Sequence, residues 1–250
     1  MSLNKRIEYL EMKDRHKNKL RPWYKKWLGV VTIILGLIIL FAIIISTNYV
    51  INRVKDIQNN QTEIDQEAEI QKITQAIDGK EENYSLGPVN TKVKIVIFSD
   101  YACPYCKEAA PVVRDLAKKY GDNIRITFRD YPLYTNSIEL ALAGNCAGIQ
   151  NKFWEMNALL FAKQGELTAL TDTALTDRLK TMASNLKLNS TNFATCLDEK
   201  TYLYRLNDDF SDAEFLGLSG TPTWFINRYK ITGYYPEEYF TNIIDGLLAQ

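Results

Sequence analysis

The chain has 250 residues, 46% of them hydrophobic and 24% charged, which supports one packed core beyond a membrane segment and excludes a disordered tail or a disulfide-stapled miniprotein. Its 30 basic and 30 acidic residues give a formal net charge of zero, which excludes a large nucleic-acid footprint, so no nucleic-acid partner is expected.

The balance is uneven along the chain. Residues 1–26 hold nine Lys/Arg against three Asp/Glu and read as a basic cytoplasmic tail. Residues 27–45 follow, 19 positions without a charge, and the apolar character continues weakly to Ile51. At about 1.5 Å per residue a helix of that length reaches about 28 Å, close to the roughly 30 Å of a hydrocarbon core. A cleaved signal peptide has a shorter apolar region and a small-residue cleavage site, whereas Ser46, Thr47, Asn48 and Tyr49 form a polar exit, so residues 27–51 read as a retained anchor in the lipid bilayer. The basic flank ending in Arg21, Lys25 and Lys26 places the N-terminus in the cytoplasm, with Trp23, Tyr24 and Trp27 suited to the membrane interface. The expectation is a single-pass membrane protein whose remaining chain lies outside the cytoplasm. All four cysteines, Cys103, Cys106, Cys146 and Cys196, fall in that outer part, where disulfides persist.

Residues 52–82 are polar and acidic. Val50, Ile57 and Ile64 recur every seven residues, but the pattern degrades by Ile70 and Ile73, which favours a solvated single helix or a flexible spacer over a dimer seam. Gly87 and Pro88 close this stalk, and the folded domain is expected over 83–250. Residues 93–98 are β-branched and aromatic, as in a buried strand; 104–120 read as a helix closed by Gly121; 124–129 alternate as a second strand. From about 137 to 216 the periodicity is helical throughout. Two strands then flank a tight turn at Asn227 and Arg228, and Pro236 opens a final helix to Leu248. The predicted class is α/β, with a helical insertion between a strand–helix–strand unit and a closing strand–strand–helix unit.

Cys103-Pro104-Tyr105-Cys106 sits between a strand and a helix start. With Cys103 as the N-cap and Pro104 at the first helical position, the missing proline N–H costs nothing, and free backbone donors at the positive helix end face the Cys103 sulfur. Such surroundings bring a thiol from about 8.5 into the range of roughly 3.5 to 7.5. Cys103 is then the attacking thiolate, and Cys106, one turn inward, the resolving thiol, exchanging through a mixed disulfide with no cofactor. A zinc site of four cysteines is the competing reading. It finds no other nearby ligand, because the one histidine, His16, lies across the membrane and Cys146 and Cys196 stand alone, so no metal is expected.

The run from Phe98 through Cys-Pro-Tyr-Cys, the later Phe153-Trp154-Glu155-Met156, and Gly220-Thr221-Pro222-Thr223 together resemble the DsbA-like branch of thioredoxin-fold proteins over about residues 84–249. The resemblance implies that Cys103 and Cys106 are the redox pair and that Pro104 and Tyr105 are its intervening dipeptide. It further implies that Pro222 is a cis-proline facing the sulfurs, with Thr221 beside it, in a loop that pairs with extended client segments. Cys146 and Cys196 resemble the second, structural cysteine pair of some members. The sequence departs from the family where an acid commonly stands six residues before the first cysteine: here that residue is Ile97. Asp100 is the nearest acid, and its place at a strand end suggests exposed polar or capping duty. Phe153, Trp154, Met156 and Phe161 read as core, while one of Trp224 and Phe225 is placed at the client surface.

The expected function is disulfide formation in secreted or cell-envelope proteins, with a membrane redox partner that resets the pair. An isomerase or reductase of the same fold is the alternative, and a non-catalytic chaperone or binding module using the apolar surface around Trp224 and the stalk is the alternative of another class.

Overall fold

A computed structural model describes residues 3–18, 23–78 and 84–249. The expectation resting on Arg21, and the stalk boundary at 82 and 83, lie outside the described residues, as do the side chains of His16, Trp23, Tyr24, Lys25 and Lys26. The chain divides into two compact units, Met1–Glu67 and Ala68–Gln250.

The first unit contains α1 (Leu3–Asn18) and most of α2 (Trp23–Asp78). Among the described residues, α2 is the helix long and apolar enough to cross a membrane, and the side chains of its apolar window are unburied. The helix assignment does not break where the composition turns polar: the apolar and the polar stretches both belong to α2.

The second unit is built on five strands, β1 (Ser85–Leu86), β2 (Val93–Ser99), β3 (Ile124–Asp130), β4 (Thr223–Ile226) and β5 (Tyr229–Thr232), in the order β1-β3-β2-β4-β5. Strands β2 and β3 run parallel, joined by α3 (Pro104–Tyr120), and the other pairs are antiparallel. Between β3 and β4 come α4 (Ser137–Gly148), α5 (Phe153–Ala162), α6 (Gln164–Leu167), α7 (Asp172–Asn185), α8 (Ser190–Asp198) and α9 (Leu203–Phe215), and α10 (Glu237–Leu248) closes the chain. This is the α/β core with a helical insertion expected from periodicity. The two-residue β1 has no sequence signature. It is held by Gly87, whose φ of 88° and close approach to the Ile124 carbonyl leave no room for a Cβ.

Strand β2 is covered on both faces, which is why it reads as an unbroken apolar run rather than an alternation. Val93, Ile95 and Ile97 share a core with Ala109, Val113 and Leu116 of α3. Val96 and Phe98 face the other way, onto Phe225, Tyr131, Ala213, Leu218 and Ile77. Ile77 and the buried Ala76 belong to the last turn of α2, so a segment that reads as solvated stalk completes one face of the sheet. Arg129 of β3 fastens that turn: its Nη1 donates to the Ala76 carbonyl, Nε donates to Asp209 Oδ1 at 2.8 Å, and Nη2 donates to Asp212 Oδ2 at 2.6 Å. The guanidinium also lies 4.8 Å from the centre of the Phe98 ring. Arg129→Met leaves the buried Asp209 with the Asp130 N–H but no cation, an uncompensated charge that costs about 3–5 kcal/mol. Thermal denaturation is therefore expected to shift down by about 6–20 °C.

Candidate redox site

The site is assembled at the C-terminal ends of β2 and β3 and the start of α3. Cys103 is the N-cap of α3 with extended backbone (φ −77°, ψ 124°) and Pro104 fills the first helical position, as the sequence suggests. The N–H groups of Cys106 and Lys107 donate to the Cys103 carbonyl at 3.1 and 3.2 Å and start the helix. Both sulfurs are unbonded thiols with almost no accessible surface, whereas Tyr105 between them is 64% exposed.

Opposite Cys103 stands the loop before β4, where the Thr221–Pro222 bond is cis. The Cys103 thiol donates to the Thr221 carbonyl at 3.3 Å, and the loop is pinned from behind by Gly233 N–H to the Pro222 carbonyl at 2.8 Å. Cys103 and Cys106 are thus brought together with Thr221 and Pro222. Cys146 and Cys196 lie apart from this group, joined as a disulfide between α4 and α8 with their Cα atoms 5.9 Å apart. That bond removes two of the four thiolates a zinc site would have used.

The two thiols are driven in opposite directions. A hydrogen bond from the Cys106 thiol is the largest influence on Cys103; with the Thr221 side chain and the N–H groups of Cys106 and Tyr105 it outweighs burial and brings Cys103 down to about 5. The backbone donors anticipated from the helix end contribute less than the partner thiol does. Burial, followed by the Cys103 sulfur itself, pushes Cys106 well above the ordinary thiol range. The result is one thiol poised as thiolate and one held protonated, the asymmetry that exchange through a mixed disulfide requires.

Two residues that shape the loop escape sequence reasoning. Asp100 is not exposed: it is 2% accessible, and its four carboxylate hydrogen bonds are all accepted. Oδ1 takes the Ala102 N–H at 2.8 Å and the Ser137 hydroxyl at 2.5 Å, and Oδ2 takes the N–H groups of Leu133 and Tyr134 at 2.6 and 3.2 Å. Capping duty is therefore right in kind, but the expected exposure is corrected, because the loops after β2 and β3 close over this side chain. Gln164, from the insertion, donates to the carbonyls of Tyr101 and Cys103 at 2.8 Å each. Its distance of 61 residues from Cys103 hides it from any local motif.

Neither aromatic after Pro222 reaches the surface, which corrects the client-contact expectation. Trp224 is fully buried against Phe240, ring centres 4.4 Å apart, and Phe225 packs on Phe98 across the other face of the sheet. Strand alternation sends them to opposite faces, and both faces are covered. Phe153, Met156 and Phe161 are core, with Trp154 packed at its edge.

A cysteine pair at a strand-to-helix junction, facing a cis-proline on a sheet interrupted by helices, defines a thiol–disulfide exchange site on a thioredoxin-like core. The thioredoxin family profile matches residues 79–246, and the chain belongs to that family. The thiol–disulfide exchange protein alpha-DsbA2 from Wolbachia pipientis superposes with a TM-score of 0.62 at 19% identity, covering 72% of this chain and 94% of its own. Oxidised BdbD from Bacillus subtilis superposes with a TM-score of 0.59 at 22% identity, covering 68% and 95%. These likenesses show the fold, a thioredoxin-like core with a helical insertion. A Na(+)/H(+) antiporter NhaA 1 from Salinispora arenicola is 34% identical over 166 residues, 65% of this chain. The chain spans about a quarter of the length of the curated relatives it matches.

Proposed function

We propose that this protein is a membrane-anchored thiol–disulfide oxidoreductase working outside the cytoplasm, in which Cys103 attacks, Cys106 resolves, and the Thr221–Pro222 loop receives an extended segment of a secreted or cell-envelope client. The observation that carries the reading is the opposed tuning of the two thiols, with Cys103 lowered to about 5 while Cys106 is raised. Stabilising the Cys103 thiolate stabilises the reduced form, and a stabilised reduced form is a stronger oxidant, so the favoured direction is disulfide formation in the client. The Cys146–Cys196 disulfide supports an oxidising compartment, and the basic residues before the apolar helix support a cytoplasmic N-terminus. Such a protein needs a membrane redox partner to reoxidise the pair. No cofactor enters the exchange itself.

The reduction potential of the pair in the full chain tests the direction. A value above about −200 mV, toward the roughly −120 mV of a strong oxidant, is expected, whereas a value near about −270 mV would assign the pair to reduction. Isomerase or reductase work is the second reading, favoured by Tyr105 in the Cys-Pro-Tyr-Cys run and Thr221 before the proline, which resemble members of that kind, and the same measurement separates it. The chaperone or binding alternative loses Trp224 as a contact, since that side chain is buried, and is left with the stalk.

A further inference from the structure

Three buried side-chain oxygens among the described residues make no well-formed hydrogen bond, Ser99 Oγ, Asp130 Oδ1 and Thr221 Oγ1, although the two hydroxyls are near enough to the thiols to favour a thiolate. Unpartnered buried polar atoms destabilise a fold, so three of them around one site ask for a reason. Ser99 and Asp130 are register partners, the last residues of the parallel strands β2 and β3. Their side chains therefore leave the sheet on the same face, the one on which Ile97 and Phe128 pack in a common core with Cys106. Adjacent strands are about 4.8 Å apart, so the two side chains stand side by side on that face.

Ser99 also adjoins the resolving thiol. The next residue, Asp100, donates its backbone N–H to Cys106 Sγ at 3.4 Å. Burial is what raises Cys106 most, and the hydroxyls of Ser99 and Thr221 act against it by favouring the thiolate. On the far side, Asp130 Oδ2 accepts from Asn145 Nδ2 at 3.0 Å, while Oδ1 remains available. Burial first, then Asp209 of α9 and Asp100 just after β2, raise the Asp130 carboxyl, against Asn145 of α4 and Arg129 of β3. The phenols of Tyr101 and Tyr84 complete its ionisable surroundings. Asp130 is thereby a buried carboxyl inclined to hold a proton, and its cross-strand neighbour Ser99 adjoins a buried thiol that must gain and lose one.

We propose that Ser99 and Asp130 form a proton relay for Cys106, the Ser99 hydroxyl passing a proton between Cys106 Sγ and Asp130 Oδ1. The relay rests on the oxidoreductase reading and supplies a step it requires. When a client thiolate attacks Cys103 Sγ, the Cys103–Cys106 bond breaks, its electron pair leaves on Cys106 Sγ, and a client–Cys103 disulfide forms. The buried Cys106 thiolate takes the Ser99 hydroxyl proton as Ser99 takes one from the Asp130 carboxyl, which leaves a carboxylate, so the single negative charge moves from client to Asp130. In the reverse direction the carboxylate removes the Cys106 proton through Ser99, and Cys106 Sγ attacks Cys103 Sγ, breaking the client–Cys103 bond and expelling the client thiolate. Asp130 acts through Ser99 and is a positioning residue for the proton.

The test opens the oxidised pair of the full chain, in detergent, with reduced glutathione from about pH 5 to about pH 9, and Ser99→Ala is expected to slow opening near neutral pH by at least about tenfold and to flatten its pH profile. Asp130→Asn is expected to do the same, and Ser99→Thr, which keeps a hydroxyl, to restore the rate. Alkylation of reduced Cys103 should keep its pH profile in all three. Because Ser99→Ala deletes an oxygen with no well-formed hydrogen bond, a purely structural role predicts an unchanged or more stable protein with unchanged kinetics. Opening at the unsubstituted rate in Ser99→Ala overturns the relay even if Asp130→Asn fails to fold, and so does slowing matched by an equal shift in Cys103 alkylation. An unsubstituted disulfide that glutathione does not open would instead sink the oxidoreductase reading.

Discussion

With Cys103 replaced by serine, the full chain is expected to leave a reduced client unoxidised at the rate of buffer alone, while the unsubstituted chain restores the client's disulfides. A hydroxyl in place of the thiolate can neither form nor release the mixed disulfide. A binding module would be indifferent to the change, so retained activity would sink the enzyme reading. In the unsubstituted protein the same sulfur should be recognisable by the pH dependence of its alkylation. Near pH 7 a thiol with a pKa of about 5 rather than 9 is almost wholly ionised, about 100 times the thiolate of an ordinary cysteine. Nucleophilicity falls with pKa at a Brønsted slope of about 0.4–0.5, which takes back most of that gain, so the rate at neutral pH decides little. The midpoint decides: half-maximal alkylation is expected near pH 5 instead of near 9. Cys106→Ala removes the largest contribution to that lowering and should move the midpoint upward. The linkage has a definite sign. A thiol whose pKa falls on folding contributes stability that is complete above its unfolded value of about 9 and is lost as the pH falls through about 5. The oxidised pair does not titrate, so acidification removes this support from the reduced form alone.

The second large effect concerns the insertion. Replacing Cys146 and Cys196 together by alanine opens a cross-link between residues 50 apart in sequence. In the chain-entropy account a loop of that size is worth about 4 kcal/mol. At about 2–4 °C per kcal/mol for a unit of this size, the melting temperature is expected to fall by about 8–16 °C. The redox pair lies outside this loop, so the Cys103 alkylation midpoint should stay where it is. A melting temperature that did not move would mean that packing around Phe193 and Leu140 already holds α8 to α4. A midpoint that moved would mean that the insertion's order reaches Cys103, most directly through Gln164.

What could be read from the sequence is what depends on near neighbours. The Cys103-Pro104-Tyr105-Cys106 run carries its own geometry, since a proline at the first helical position and an N-cap cysteine are local facts. The strands at 93–98 and 124–129 and the helices of 137–216 follow from periodicity. Pro222 and the Cys146–Cys196 pairing were accessible only through the family resemblance. What escaped depends on residues far apart in the chain. The burial of Asp100 comes from loop closure by Leu133, Tyr134 and Ser137, and Gln164 reaches Cys103 from a short helix with no motif. Ser99 and Asp130 become neighbours only when the β2–β3 register is known. Trp224 and Phe225 show the converse error: adjacency to Pro222 suggested surface, but a central strand covered on both faces has none to offer.

The buried last turn of α2 bears on where the domain can be severed. A protease that cut near Arg53 or Lys55 would shed a piece that keeps Ile73, Ala76 and Ile77, the lid over Val96, Phe98 and Phe225. Trimming to residue 83, where composition alone would put the border, strips that lid and the Ala76 carbonyl to which Arg129 donates. The sheet face so bared is apolar and adhesive, so the shorter fragment would tend to aggregate while the longer one stayed in solution.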